Sequence, residues 1–383
     1  MNNSATAVAA TVILMTSVSS GAALAADSPP STPAAFTASS LADLLTAAGI
    51  TDSGYVAASY YHSNGYNTFH QFDVQHDTFQ LDQAGLTVAY QPKAGFGALV
   101  NVAAGEDMKI LNAAEGNNAN TFDIVQGFVQ YAGGPMTVIA GKFVTLAGAE
   151  VIAPVGNTNF SRSFLFFAEP LTHTGIRATF AASDTLSLIA GVNNGWNTTS
   201  TSYGSKTAEL GIAYTPNKTF ALTAQSYIGK DPQYDAEKIF VDLVGTYNAT
   251  DALSFVINFD WGQQEQSNGL PNLDWNGLAA YVNYTLSDKW RVSVRAEYLD
   301  DKDGYVTGNP TGTPPTLGTP QTLKDGTVTF GYDPIKSFEL RAEVRYDWSN
   351  ESAFVRSINS ATSPADVFAS SQTEFALQGV FKF

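Results

Sequence analysis

Two stretches of this 383-residue chain carry charged groups at every second position. In the first, Arg291, Ser293, Arg295 and Glu297 alternate with Trp290, Val292, Val294, Ala296 and Tyr298. In the second, Glu339, Arg341, Glu343, Arg345 and Asp347 alternate with Phe338, Leu340, Ala342, Val344, Tyr346 and Trp348. Side chains two apart share one face of an extended strand, so each stretch has a charged face and an apolar one. A charged face of this kind can set the field in an aqueous passage, where ions are sorted by rings of charge. It can also neutralise itself through bidentate Arg–carboxylate pairs. The mixed signs predict that half or more of these groups pair and that the rest face ions.

The segment 146–170 adds Glu150, Arg162 and Glu169, beside Phe160, Phe164, Phe166 and Phe167. Lys142, Arg177 and Asp260 fall on the polar parity of other alternating stretches. Enzyme chemistry finds little support. The four His are His62, His70, His76 and His173. His173 follows Ser161 and Ser163, but a hydrogen-bonding role in a wall fits it better than a nucleophile–base pair. His62, His70 and His76 lie near Asp73 and Asp77 with no compact metal-ligand spacing, which predicts a solvated loop. No phosphate-cradling glycine loop is present, and no catalytic, cofactor or metal site is assigned. With no Cys there is no disulfide or thiolate chemistry. With 19 Lys plus Arg against 35 Asp plus Glu, nucleic acid is not an expected partner.

The elements that must position these groups are strands. Period-two segments are predicted at 54–64, 78–91, 95–106, 122–132, 136–145, 171–182, 185–194, 206–215, 219–230, 238–248, 252–263, 274–286, 290–300, 321–332, 337–349 and 371–383. Short turns such as Pro92-Lys93-Ala94 and Ser287-Asp288-Lys289 alternate with longer loops along the whole chain. Five charges on one parity cannot face lipid, and long loops at one end with short turns at the other are the pattern of a membrane barrel. Trp290 to Tyr298 covers roughly 20 Å and Phe338 to Trp348 roughly 25 Å, the separation of two aromatic girdles. The expected fold is therefore all-β: a transmembrane antiparallel up-and-down barrel of about sixteen strands, with fourteen and eighteen as alternatives. One short helix, around Leu41 to Ala48, precedes it. The terminal Phe383, in register with Phe381, Gly379, Leu377 and Phe375, suits a strand read by the barrel-assembly machinery.

The predicted organisation is a signal peptide at 1–25, a lead with the helix at 26–53, and the barrel at 54–383. The signal rests on the apolar run Val8 to Met15 and the small-x-small site Ala23-Leu24-Ala25.

The middle of the chain resembles a known family. Gly141-Lys142-Phe143, Gly148-Ala149-Glu150-Val151-Ile152, Asn159-Phe160-Ser161-Arg162-Ser163, Pro170-Leu171-Thr172-His173-Thr174-Gly175 and Asn193-Asn194-Gly195-Trp196 are similar to the OmpL-like β-barrel porins of Gram-negative outer membranes. The stretch Leu340 to Asp347 resembles them too, and the likeness covers roughly Leu45 to Phe383. It implies a porin for passive diffusion of small hydrophilic solutes or ions, with outer-membrane lipid around it. It also implies that segment 146–170 folds inward as a constriction. The pore-lining set is then Lys142, Glu150, Arg162, Arg177, Asp260, Arg291, Arg295, Glu297, Arg341, Glu343, Arg345 and Asp347. The competing reading is a plugged barrel with a structural or surface-interaction role, and for the segment an external cap. Small residues in early strands (Ala57, Ala58, Gly97, Ala98, Ala103, Ala104) point to a homotrimer. Intact-mass measurement of the exported protein is expected to give a chain beginning at Ala26; a chain still carrying Met1 rejects the cleavage.

Overall fold

In the computed structural model, residues 45–201, 204–231, 236–266, 269–308, 317–357 and 367–383 are described. The expected signal peptide lies outside them, as does most of the expected helix. What is described of that helix is its end, α1, at 45–47.

Among the described residues eighteen strands follow, and sixteen close into one antiparallel barrel. They are β1 (Ile50–Ser63), β2 (Thr78–Tyr90), β3 (Gly95–Ala104), β4 (Phe122–Gly133), β5 (Met136–Val144), β6 (Thr172–Ser183), β7 (Leu186–Asn193), β8 (Thr207–Tyr214), β9 (Phe220–Asp231), β10 (Ala236–Asn248), β11 (Leu253–Gln264), β12 (Leu273–Ser287), β13 (Trp290–Asp301), β14 (Gln321–Ile335), β15 (Phe338–Ser349) and β18 (Ser371–Lys382). Each pairs with its neighbours in sequence, and β1 pairs with β18 to close the ring. The strand positions agree with the alternation within a few residues; the largest shift is β1, which starts at Ile50.

The loops hold more structure than the sequence signalled. Residues 105–121, expected as plain loop, contain α2 (Asp107–Ala114), whose Met108 and Leu111 are fully buried. Residues 145–171 contain a 3-10 turn (Pro154–Gly156) and α3 (Phe164–Ala168). Residues 350–370 contain the small hairpin β16 (Phe354–Ser357) and β17 (Val367–Ala369).

The two faces separate as the parity predicted. On β15, Leu340, Val344, Tyr346 and Trp348 are exposed while Arg341, Glu343, Arg345 and Asp347 are buried. The outward aromatics gather near the strand ends. Trp290 stacks on Tyr332 at 4.4 Å and Phe96 lies 5.0 Å from Tyr131 at the turn end, while Tyr60–Phe79 (4.6 Å) and Tyr346–Trp348 (5.6 Å) lie at the loop end. Of the small residues in early strands, Ala58 and Ala98 face outward, but Ala57 and Ala103 are buried inside the ring. A β-bulge between β1 and β2 pairs Ala57 with Gln83 and Ala58 with Leu81, leaving Asp82 as the extra residue. An extra residue shifts parity locally, so Asp82 and Gln83 are both buried.

The seam is closed by the last residue. Phe383 N–H donates to Gly54 O at 3.0 Å and Gly54 N–H to Phe383 O at 2.9 Å. The Phe383 ring covers Gly54 so closely that a Cβ there would lie 2.4 Å from it. Gly54→Leu is expected to cost about 1–3 kcal/mol through overpacking, read as a lower urea midpoint and a smaller heat-modifiable folded band. An unchanged midpoint would show that the ring does not help close the seam.

Candidate functional site

The lumen is organised around the inserted loop L3, residues 145–171, between β5 and β6. Its charged and aromatic side chains are buried: Glu150, Phe160, Arg162, Phe164, Phe166 and Glu169 are all nearly inaccessible. L3 therefore enters the barrel rather than capping it. Its aromatics meet the wall and loop L1 (residues 64–77): Phe160 lies 5.6 Å from Tyr61, Phe166 5.9 Å from Phe72, and Phe167 6.3 Å from Phe69.

An inserted loop brings backbone N–H and C=O groups out of water, and each needs a partner. The inward charges of β13–β15 supply them. Glu343 accepts from Phe160 N–H (2.7 Å), Ser161 N–H (2.9 Å) and Ser161 Oγ (2.5 Å). Arg295 donates to Ser161 O at 2.8 Å and Arg345 to Arg162 O at 2.5 Å. Arg341 donates to Pro154 O at 3.1 Å and Arg291 to Thr158 O at 2.6 Å. Glu297 accepts from Phe164 N–H at 2.8 Å and Leu165 N–H at 3.3 Å, while Ser163 caps α3 by accepting from Phe166 N–H. A carboxylate and a Ser cap at a helix start satisfy N–H groups the helix itself leaves free.

Register makes room for these long side chains. Thr327 of β14 sits opposite both Arg295 and Arg345, and Gly331 sits opposite both Arg291 and Arg341. A Cβ at Gly331 would lie 2.6 Å from Arg291 Nε. Asp325, one pleat along, joins Arg295 (2.7 Å) and Arg345 (3.1 Å). Glu150 of L3 completes the arrangement at 3.0 Å from Arg295.

Other predicted residues pair elsewhere in the lumen. Lys142 reaches Glu115 and Asp123, each at 2.7 Å, and Arg177 reaches Glu209 at 2.8 Å. Arg291 and Arg341 share Glu339, and Asp347 holds Arg345 at 2.7 Å. Three predicted residues lack an ion pair, and one of them, Glu343, is held by the L3 donors and by Thr329 Oγ1 at 2.5 Å. Arg162 is fixed by the carbonyls of Val151, Ile152 and Phe160. Asp260 receives Asn258 Nδ2 at 3.0 Å. Sequence reasoning missed Asp325, Asp82, Asp107, Asp242 and Glu374, all buried inside. The inward parity of β14, the same alternation that exposed Arg295, was the available signal for Asp325.

The histidines part company. His62, at the end of β1, and His76 of L1 both meet Asp77 at the exposed start of the loop's return, as a solvated segment requires. His70 contradicts that expectation, because it is buried between Asp73 (2.5 Å) and Asp347 (2.8 Å). Both ring nitrogens are thereby occupied. His173 Nδ1–H donates to Gly195 O (3.2 Å) and the ring stacks on Tyr227 at 4.5 Å, while Ser161 is engaged by Glu343.

A small cleft remains between L3, L1 and the β1–β2–β18 wall. Asp73, Asp82, Asp107 and Arg162 line it together with Phe72, Phe160 and Gln378. Asp82 is held by Ser59 Oγ (2.6 Å) and Gln378 Nε2 (2.8 Å), and Asp107 by Gln83 Nε2 (2.8 Å), so neither has a cationic partner.

Residues 45–383 match the family model described as "Putative beta-barrel porin-2, OmpL-like". The chain belongs to this porin family. No curated protein matches it. Among solved structures, a loop L8 deletion mutant of OmpT from Vibrio cholerae is similar with a TM-score of 0.59 at 11% identity, over 87% of this chain and 99% of that one. The outer membrane channel DcaP of Acinetobacter baumannii gives 0.58 at 11% identity over 87% and 97%. An anion-selective porin from Comamonas acidovorans gives 0.56 at 11% identity over 87% and 99%. These likenesses concern the fold. Many of the residues that carried the family resemblance in the sequence belong to L3 and its sockets, among them Glu150, Ser161 and Ser163, with Leu340 to Asp347, whereas Lys142 of β5 pairs with Glu115 and Asp123.

Two outcomes follow for the anchored loops. Arg295→Ala leaves Asp325, Glu150 and Glu297 buried around a lost charge, and is expected to cost about 3–5 kcal/mol in urea unfolding of the folded barrel; a change under about 0.5 kcal/mol, the size of an ordinary surface effect, would refute the anchor. For His70, burial and Arg345 oppose the charged ring, but Asp73 and Asp347 outweigh them and raise its pKa above the ordinary 6.5. Its contribution is thus complete below 6.5 and lost as pH rises through the raised value. For Asp73, burial opposes ionisation, yet the charge and hydrogen bond of His70 hold it well below the ordinary carboxylate range. Its contribution is present above the ordinary 3.8 and lost only as pH falls through the depressed value. Stability measured upward from pH 6 should therefore decline, and His70→Gln should flatten the decline.

Proposed function

We propose that this protein is an outer-membrane porin of a Gram-negative bacterium that passes small hydrophilic solutes or ions by passive diffusion, with a preference for cations. The observation that carries this reading is the excess of unpaired carboxylates inside the ring. Among the described residues, Asp82, Asp107 and Glu374 are buried with no Lys or Arg ion pair, whereas Arg162 is the buried cation bonded only to carbonyls. Fixed charge of one sign in a low-dielectric passage concentrates ions of the other sign. The cleft between L3 and the β1–β2 wall, with Asp82 and Asp107, is the proposed constriction. Lys142, Arg177, Arg291, Arg295, Arg341 and Arg345 act there indirectly, by holding L3 or by neutralising acids, and Glu150, Glu297, Glu343 and Asp347 do the same with opposite sign.

Residues 1–25 serve as signal peptide and 26–53 as the lead in this reading, with the barrel from 54 to 383. Phe383 is the group offered to the assembly machinery. A homotrimer is supported by the outward small residues Ala58 and Ala98 and by a trimer form among the similar OmpT structures. A plugged structural barrel is the second reading. It is favoured by the depth at which Arg295, Arg345 and their partners are buried beneath L3.

Single-channel recording of the refolded protein in a planar bilayer separates the two. Stable open steps with a reversal potential of cation sign are expected, and Asp82→Asn with Asp107→Asn should reduce the cation preference by roughly twofold or more, as loss of fixed pore charge does. Anion preference would refute the selectivity. A folded but silent barrel would favour the plug.

A further inference from the structure

The half of the lumen under β13–β15 balances its acids with arginines; the half under β9–β11 does not. Asp242 of β10 lies directly opposite Asp260 of β11 in the register. Like charges at opposed positions of neighbouring strands destabilise a sheet. L3 then brings Glu169 to the same place: one oxygen each from Glu169, Asp242 and Asp260 lies within 4.8 Å of the other two. All three side chains are at least nine-tenths buried. Asn258 Nδ2 serves one oxygen of Asp242 (2.8 Å) and one of Asp260 (3.0 Å). A second observation is independent of their proximity. Glu169 Oε2, Asp242 Oδ2 and Asp260 Oδ2 are each fully buried with no hydrogen-bond donor.

Buried carboxylate oxygens without a donor or a cation carry a large desolvation penalty. A donor, a proton or a positive ion relieves it, and three converging carboxylates favour a positive ion because one cation serves all of them. The donor set is oxygen only, with no imidazole or thiolate. Hard divalent cations take such sets, and calcium accepts irregular carboxylate geometry more readily than magnesium.

We propose that Glu169, Asp242 and Asp260 form a binding site for a hard divalent cation of the calcium class. The ion joins the end of L3 to β10 and β11. It completes on that side of the lumen what Arg295, Arg345 and Glu343 do on the other. This is separate from ion passage, since the site lies under L3 and its occupant is held.

The test uses the full refolded barrel in detergent, stripped with a chelator and titrated with Ca²⁺ alone. Calorimetry is expected to give one saturable site per chain, and Asp260→Asn and Glu169→Gln should each weaken it by roughly tenfold or more, since affinity follows ligand charge count. Ca²⁺ should also raise the thermal unfolding midpoint of the unaltered protein, because a ligand of the folded state stabilises it. That readout stands even where a variant fails to close its barrel. The absence of saturable binding at millimolar Ca²⁺ overturns the proposal, as does an unmoved midpoint. Binding that survives unchanged in both folded variants assigns the ion to exposed loop carboxylates and overturns it as well.

Discussion

Backbone N–H and C=O groups inside a bilayer have no water to bond, so a sheet that crosses must close on itself. Here the closure is the pairing of β1 with β18, extended by Phe383 across Gly54. Once the ring is closed, every strand has a lipid face and a lumen face. The apolar parity goes outward because the bilayer demands it, and charge within the hydrocarbon span must then go inward. The crowded ionic interior is thus a consequence of closure before it is a feature of any function.

Charge forced inward has to be solvated or satisfied. In this protein much of it is satisfied by L3. The loop brings a row of backbone donors and acceptors into the ring, and Arg295, Glu297, Arg341, Glu343 and Arg345 use them. The dependence is mutual: L3 could not be buried without those side chains, and they could not be buried so deeply without L3. Breaking such a network is costly because the partner left behind stays buried. The same groups that looked from the sequence like an ionic lining therefore work largely as a socket.

The interior is not uniform. Arginines dominate beneath β13–β15, whereas β1–β2 and β9–β11 present acids without cationic partners. That imbalance, more than the net charge of −16, is what a passing or resident ion would meet. Net charge includes exposed loop residues, which salt screens within about a Debye length. Groups enclosed by the barrel are screened far less.

Strand existence and facing were legible in the sequence because both are local. Trp290 to Tyr298 and Phe338 to Trp348 state their parity without reference to any other residue, and short turns alternate with long loops whatever the strands pair with. The inward direction of Lys142, Arg177, Arg291 and Glu343 followed from the same rule. Partnership did not. That Arg295 meets Asp325 and Glu150, or that Asp242 lies opposite Asp260, depends on register around a closed ring and on how deep L3 is drawn in. The bulge that turns both Asp82 and Gln83 inward breaks the parity from which the rest was read. His70 shows the same limit: its surroundings come from Asp73 nearby and from Asp347 at the far end of the chain. Period-two patterning fixes which face a side chain takes; only closure and loop insertion, which join residues distant in sequence, decide what it touches there.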